Sequence, residues 1–176
     1  MHRSLPSSVF LPKCRAIILK GHMSQLLVGD LAPDFELIDV NGQPHRLHEA
    51  LKQGRVALVF YKASCPTCQF TFPFIQKIFS KTGAAGPTLW AISQDENSET
   101  REFAAKYGVS FDVLIDEHPY PVSAAYQLEF VPGIFLIEQD GRIAVSEYGF
   151  TKSGLNQIAG FEFFTANDGL PARRPG

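Results

Sequence analysis

The stretch VALVFYKASCPTCQFTFPFIQKIFSK, residues 56–81, carries the fold and the chemistry together. Its opening, Val56 to Tyr61, is an unbroken apolar run with β-branched members, the pattern of a strand buried on both faces in a parallel sheet. From Pro66 onward Phe70, Phe74, Ile75, Ile78 and Phe79 recur at helical spacing. A helix over 66–81 is therefore predicted, with Pro73 removing one backbone donor and kinking it. Cys65-Pro66-Thr67-Cys68 stands where strand gives way to helix. Pro66 then occupies the first helical position, where a missing N–H does no harm. Cys65 falls at the N-cap, where free N–H groups and the helix dipole favour a thiolate, the attacking species in disulfide exchange. Cys68 lies one turn further on, within reach of Cys65, as the resolving thiol.

Outward from this core, alternation over 34–40, an Asn41-Gly42 turn and a second short strand over 43–46 predict a hairpin. A brief helix over 47–52 precedes the central strand. Strands over 88–93 and 111–115 alternate with helices over 99–107 and 120–126. Asp140-Gly141 joins strands over 134–138 and 142–148, and a helix over 154–164 closes the pattern. Strands alternating with helices, then a hairpin and a helix, predict an α/β domain with a mixed sheet covered on both faces. No repeat or linker divides the chain, so residues 26–165 read as one domain. Residues 1–25 read as a disordered extension and 166–176 as a loose polar tail.

Composition narrows the function. A net charge of −2 leaves no basic excess for a nucleic-acid backbone. No apolar run approaches the ~18–20 residues of a bilayer span. The first 22 residues hold four basic side chains and no acid, yet Pro and charge break every apolar run before it reaches the length of a secretory core. The expectation is a cytoplasmic protein, and Cys14, within that extension, is given no catalytic role. Three cysteines are too few for a disulfide scaffold, and two of them form one close pair, which points to redox or metal chemistry. A structural zinc site needs about four Cys or His ligands. His22, His45, His48 and His118 form no ligand pair, so no metal and no cofactor are expected.

With these residues in place, the chain resembles the thioredoxin-like superfamily, in its redoxin branch of AhpC/TSA-like, peroxiredoxin-like and cytochrome-maturation proteins. The resemblance covers about residues 29–160. It rests on Gly29-Asp30-Leu31-Ala32-Pro33-Asp34-Phe35, on the stretch from Val59 to Cys68, on Val131-Pro132 and on Asp140-Gly141-Arg142-Ile143. It implies a three-layer α/β/α sandwich with an N-terminal β-hairpin. It further implies that Pro132 is cis and lies against the cysteines, and that the backbone of Val131 pairs with an extended partner segment. Phe130, Tyr61 and Pro66 are expected to rim that groove. The implied activity is thiol–disulfide exchange with a protein or small-molecule disulfide or dithiol; the sequence leaves its direction open, with the uncharged Pro-Thr insert leaning towards reduction.

The chain also departs from its relatives. The buried Asp of thioredoxins, six positions before the first Cys, is Val59, and the Glu of the cytochrome-maturation branch is Thr71. The base serving Cys68 is thus unassigned, with Lys62 and Thr71 as candidate modulators of thiol ionisation. The Trp that precedes the first Cys in thioredoxins is Ser64. Two other readings stand beside this one. A thiol peroxidase reducing peroxide finds support in Ser93-Gln94-Asp95, but the Thr and Pro that peroxiredoxins place before the attacking Cys are Lys62 and Leu58. A copper-handling module would need His118 as third ligand, and copper carriers of this fold space their cysteines one residue wider.

Overall fold

The computed structural model describes residues 25–176. The expectations on residues 1–24, Cys14 and His22 among them, fall outside that range. Seven strands build one mixed sheet: β1 (Glu36–Asp39), β2 (Pro44–Arg46), β3 (Val56–Tyr61), β4 (Thr88–Ser93), β5 (Asp112–Ile115), β6 (Gly133–Ile137) and β7 (Ile143–Tyr148), in spatial order β2-β1-β5-β4-β3-β6-β7. β3, β4 and β5 run parallel, while β1 and β6 lie antiparallel on either side of them. The two parallel crossovers are the helices α2 (Pro66–Thr82) and α3 (Asn97–Tyr107). Strand order advances in one direction through both connections, so right-handed crossovers put both helices on the same face.

β3 is buried along its whole length, and its alternate residues feed two cores. Ala57, Val59 and Tyr61 join Phe72, Ile75 and Phe103 under α2 and α3, with α5 (Lys152–Ala159) completing that layer through Leu155 and Ile158. Val56, Leu58 and Phe60 join Trp90 and Phe135 on the other face, beneath α1 (Leu47–Leu51) and α4 (Pro121–Ala125). The chain is the three-layer thioredoxin-like sandwich. Pro73 does not end α2, which continues as α-helix to Thr82.

The β1–β2 turn is held by one side chain. Asp39 Oδ1 accepts from the N–H groups of Asn41 and Gln43, both at 2.8 Å, and Gly42 takes the positive φ of 84°. Burial pushes the Asp39 carboxyl up, but the Gln43 and Asn41 amides and His45 outweigh it and hold the group below its ordinary 3.8. A depressed folded value gives stability that is full above the ordinary value and fades as pH falls through the folded one. Asp39→Ala, which strands two amide donors, is expected to lose about 1–3 kcal/mol at neutral pH, measured by denaturant unfolding. The deficit should shrink below pH 4.

Two departures from the sequence expectation concern the last thirty residues. α5 stops at Ala159 because Gly160, at φ 76°, caps it, and the Asn156 side chain then accepts from the N–H groups of Phe163 and Phe164. The helix expected over 154–164 is therefore shorter and begins two residues earlier, where Thr151 caps it through the N–H of Gly154. The polar segment expected to be loose is instead tied down. Buried Lys152 bonds Thr165 O and Asp168, and β9 (Arg173–Arg174) pairs antiparallel with β8 (Phe150–Thr151).

Candidate active site

The strand-to-helix junction turns the two cysteines into unlike groups. Cys65 is the N-cap of α2, with extended φ and ψ of −77° and 118°, and its sulfur accepts from the N–H of Cys68 at 3.2 Å. It is partly exposed. Its thiol also donates to Val131 O at 3.4 Å, which brings the motif against the Val131–Pro132 segment. Cys68 is 0% exposed. Burial pushes its thiol well above the ordinary range and its contact with Cys65 adds to this, while the Lys62 N–H works in the opposite direction.

The Val131–Pro132 bond is cis and Pro132 is buried. Phe130, 51% exposed, stands beside it with its ring 5.6 Å from that of Tyr148. Pro66 is exposed at the start of α2. Tyr61 is not on this rim. Its side chain points into the core, with its ring 4.6 Å from Phe72 and 4.7 Å from Phe103, because the pleat of a fully buried strand leaves it no solvent face. Thr71 Oγ1 donates to Thr67 O one turn back and is fully buried, so its hydroxyl is already engaged. The Lys62 ammonium lies over the Tyr120 ring, 5.3 Å from its centroid.

Sequence reading missed Asp95. Its carboxylate accepts from Ala63 N–H at 2.6 Å, one residue after the amide that faces Cys68. The Gln69 side chain holds Ala63 O at 2.8 Å, so the loop entering the motif is clamped on both sides. The charge of Asp95 raises both Cys68 and Tyr61 further, which places it in their electrostatic neighbourhood. It also lines an open cleft of about 420 Å³ with Ser64 and Gln69, giving it access to solvent. The signal available in the sequence was Ser93-Gln94-Asp95 following a parallel strand, since that strand end must emerge beside the neighbouring strand's end.

Between Asp95 and the core, Ser93 Oγ and Thr100 Oγ1 bond each other at 2.7 Å and leave the buried Tyr61 hydroxyl without a partner. Tyr61→Phe is therefore expected to leave stability unchanged or raise it by about 1 kcal/mol in denaturant unfolding, since an unpaired buried hydroxyl contributes nothing favourable. Among the described residues, His118 joins no metal-ligating group with the cysteines. The one such cluster is Asp39, His45 and Asp112. There His45 Nε2 lies 3.3 Å from Asp39 Oδ2, and its Nδ1 faces Asp112 Oδ2 on β5 at 3.9 Å.

A dithiol at the N-terminus of a helix, opposed by a proline-bearing loop on a mixed sheet, defines the class of thioredoxin-like redox proteins. The chain belongs to the AhpC/TSA family, whose pattern matches residues 28–146. It is 30% identical over 117 residues to the thiol-disulfide oxidoreductase ResA of Geobacillus kaustophilus, an alignment spanning 66% of each chain. It is 33% identical over 136 residues to the methylamine utilization protein MauD of Paracoccus denitrificans, covering 74% of this chain and 64% of that one. The chain thus matches just under two thirds of the length of these relatives. Its fold superposes on a thiol:disulfide interchange protein DsbE of Chlorobium tepidum with a TM-score of 0.67 and 26% identity, over 76% of this chain and 93% of the other. Among the described residues, no helix is long and apolar enough to cross a membrane.

Proposed function

We propose that this chain is a thiol–disulfide oxidoreductase that reduces an extended protein segment or a small disulfide through Cys65 and Cys68. The observation that carries the reading is the hydrogen bond from the Cys68 N–H to a partly exposed Cys65 sulfur, with the Cys68 thiol buried directly behind it. An amide donor at a helix start stabilises negative charge on the outer sulfur. Burial keeps the inner thiol protonated until it is needed.

The Cys65 thiolate attacks one sulfur of the partner disulfide. The partner's S–S bond breaks, one partner thiolate leaves and takes a proton from solvent, and a Cys65–partner disulfide remains. Cys68 then gives up its proton and attacks Cys65 Sγ, releasing the second partner thiolate. The partner gains two electrons and the Cys65–Cys68 pair is oxidised. Asp95, whose charge acts on Cys68 and whose carboxylate lines the open cleft, is the group suited to receive the Cys68 proton and release it to solvent. The Lys62 ammonium is engaged over Tyr120. Among the described residues, the two between the cysteines, Pro66 and Thr67, carry no charge, which favours the reducing direction.

Equilibration with mixtures of reduced and oxidised dithiothreitol, followed by alkylation and peptide mapping, tests this. A single two-electron transition confined to Cys65 and Cys68 is expected. Rapid peroxide-dependent oxidation without any exchange on disulfides would replace this reading with the thiol peroxidase.

A further inference from the structure

The groove beside Cys65 already holds a piece of this chain. After β9, the backbone runs between the two walls that a partner segment would touch. Thr67 Oγ1, from between the cysteines, donates to Pro175 O at 2.7 Å. A Cβ placed on Gly176 would come within 2.4 Å of Val131 O, the same carbonyl that receives the Cys65 thiol. Gly176 therefore lies against the sulfur's own hydrogen-bond acceptor, and Pro175 against the residue between the cysteines. They lie beyond the region matched by the family pattern, which ends at residue 146.

What holds the segment is specific. It pairs as a strand with Phe150 and Thr151, and Lys152 N–H donates to Ala172 O at 3.0 Å. The Arg173 guanidinium sits 4.5 Å from the centroid of the Tyr148 ring, and that of Arg174 sits 4.9 Å from the Phe70 ring. Both are cation–ring contacts of favourable distance. The floor is cut to fit: Gly149, at φ 72°, lies so close that a Cβ there would come within 2.2 Å of Arg174 O. Only glycine combines that backbone angle with that approach.

We infer that residues 173–176 are a tethered occupant of the partner groove, and that the groove recognises extended segments bearing cationic side chains, which displace it. The inference rests on the reading of Cys65 as the attacking sulfur. A partner strand takes over the main-chain pairing along β8, and its Arg or Lys side chains take over the faces of Phe70 and Tyr148. The tether raises the effective concentration of the resident segment, so a weak internal contact competes with a stronger external one.

The test uses the full chain with two disulfide-linked reporter peptides, identical except for Arg or Glu on either side of the Cys, and with bis(2-hydroxyethyl) disulfide as a small neutral substrate. R173A/R174A removes the two cation–ring contacts and R173P/R174P also removes the backbone donors of β9, so each dislodges the segment while leaving the groove itself intact. Each variant is expected to raise kcat/KM for the Arg peptide about tenfold, the loss of two cation–ring contacts from the competitor, with a change under about twofold for the small disulfide. The Arg peptide should exceed the Glu peptide by about tenfold in every form of the protein. Unchanged peptide rates in both variants, with circular dichroism showing the fold intact, would overturn the tethered occupant. Equal rates for the two peptides would overturn the cationic preference. If the wild-type chain fails to reduce the small disulfide at all, it is the oxidoreductase reading that falls.

Discussion

Replacing Cys65 with serine is expected to abolish disulfide reduction, lowering kcat/KM by on the order of 10³-fold or more, because whatever survives comes from binding alone. The hydroxyl that replaces the sulfur is not ionised near neutral pH and cannot attack a disulfide, while Cys68 is sealed from any partner by complete burial. The companion change behaves differently. In Cys68→Ser the outer sulfur still captures the partner, but nothing displaces it, so the protein accumulates as a covalent adduct. That adduct is visible as a mass increase on non-reducing gels and disappears with dithiothreitol. Turnover collapses in both variants, yet only the second should trap its partner. Adduct formation by Cys65→Ser through Cys68 would reverse the two roles and contradict the burial that separates them.

Asp95→Asn is expected to slow the second step, attack of Cys68 on the mixed disulfide, by on the order of 10²-fold, the lower end of what a positioned proton acceptor supplies. Asparagine keeps an oxygen to accept from Ala63 N–H, so the clamp on the motif loop survives while proton acceptance is lost. Capture of the partner by Cys65, followed in a Cys68→Ser background, should therefore be unaffected. Asp95→Ala adds the loss of the Ala63 hydrogen bond and should impair both steps. Equal slowing of both steps by Asp95→Asn would assign Asp95 to loop positioning alone.

Near-neighbour physics explains what was legible along the chain. β3 and β4 fall at the predicted residues because a run of apolar, β-branched side chains between polar breaks has few other uses. Asn41-Gly42 and Asp140-Gly141 marked both hairpins, since the positive φ at Gly42 and Gly141 is a local requirement. The helical run in α2 was clear, but its deepest aromatic, Phe72, was not singled out. Phe70 and Phe74 fit the expected stripe, yet they face Phe150 at the edge of the core, whereas Phe72 packs centrally on Tyr61 and Phe103.

By itself, then, the sequence determined the order of strands and helices and the junction at which Cys65 and Cys68 stand, because pattern, turn chemistry and capping act over a few residues. Which groups surround that junction was decided only by tertiary structure. Asp95 arrives from thirty residues away because β4 lies parallel to β3 and both end at one sheet edge. Tyr61 turns inward and the Lys62 ammonium turns to Tyr120 because packing of α3 and of the loop before α4 fills the alternatives. The last residues look like a solvated tail by composition, yet they lie across the motif. Their hold comes from a strand edge, a glycine floor and two aromatic faces, which are far apart in sequence and meet only when the chain has folded.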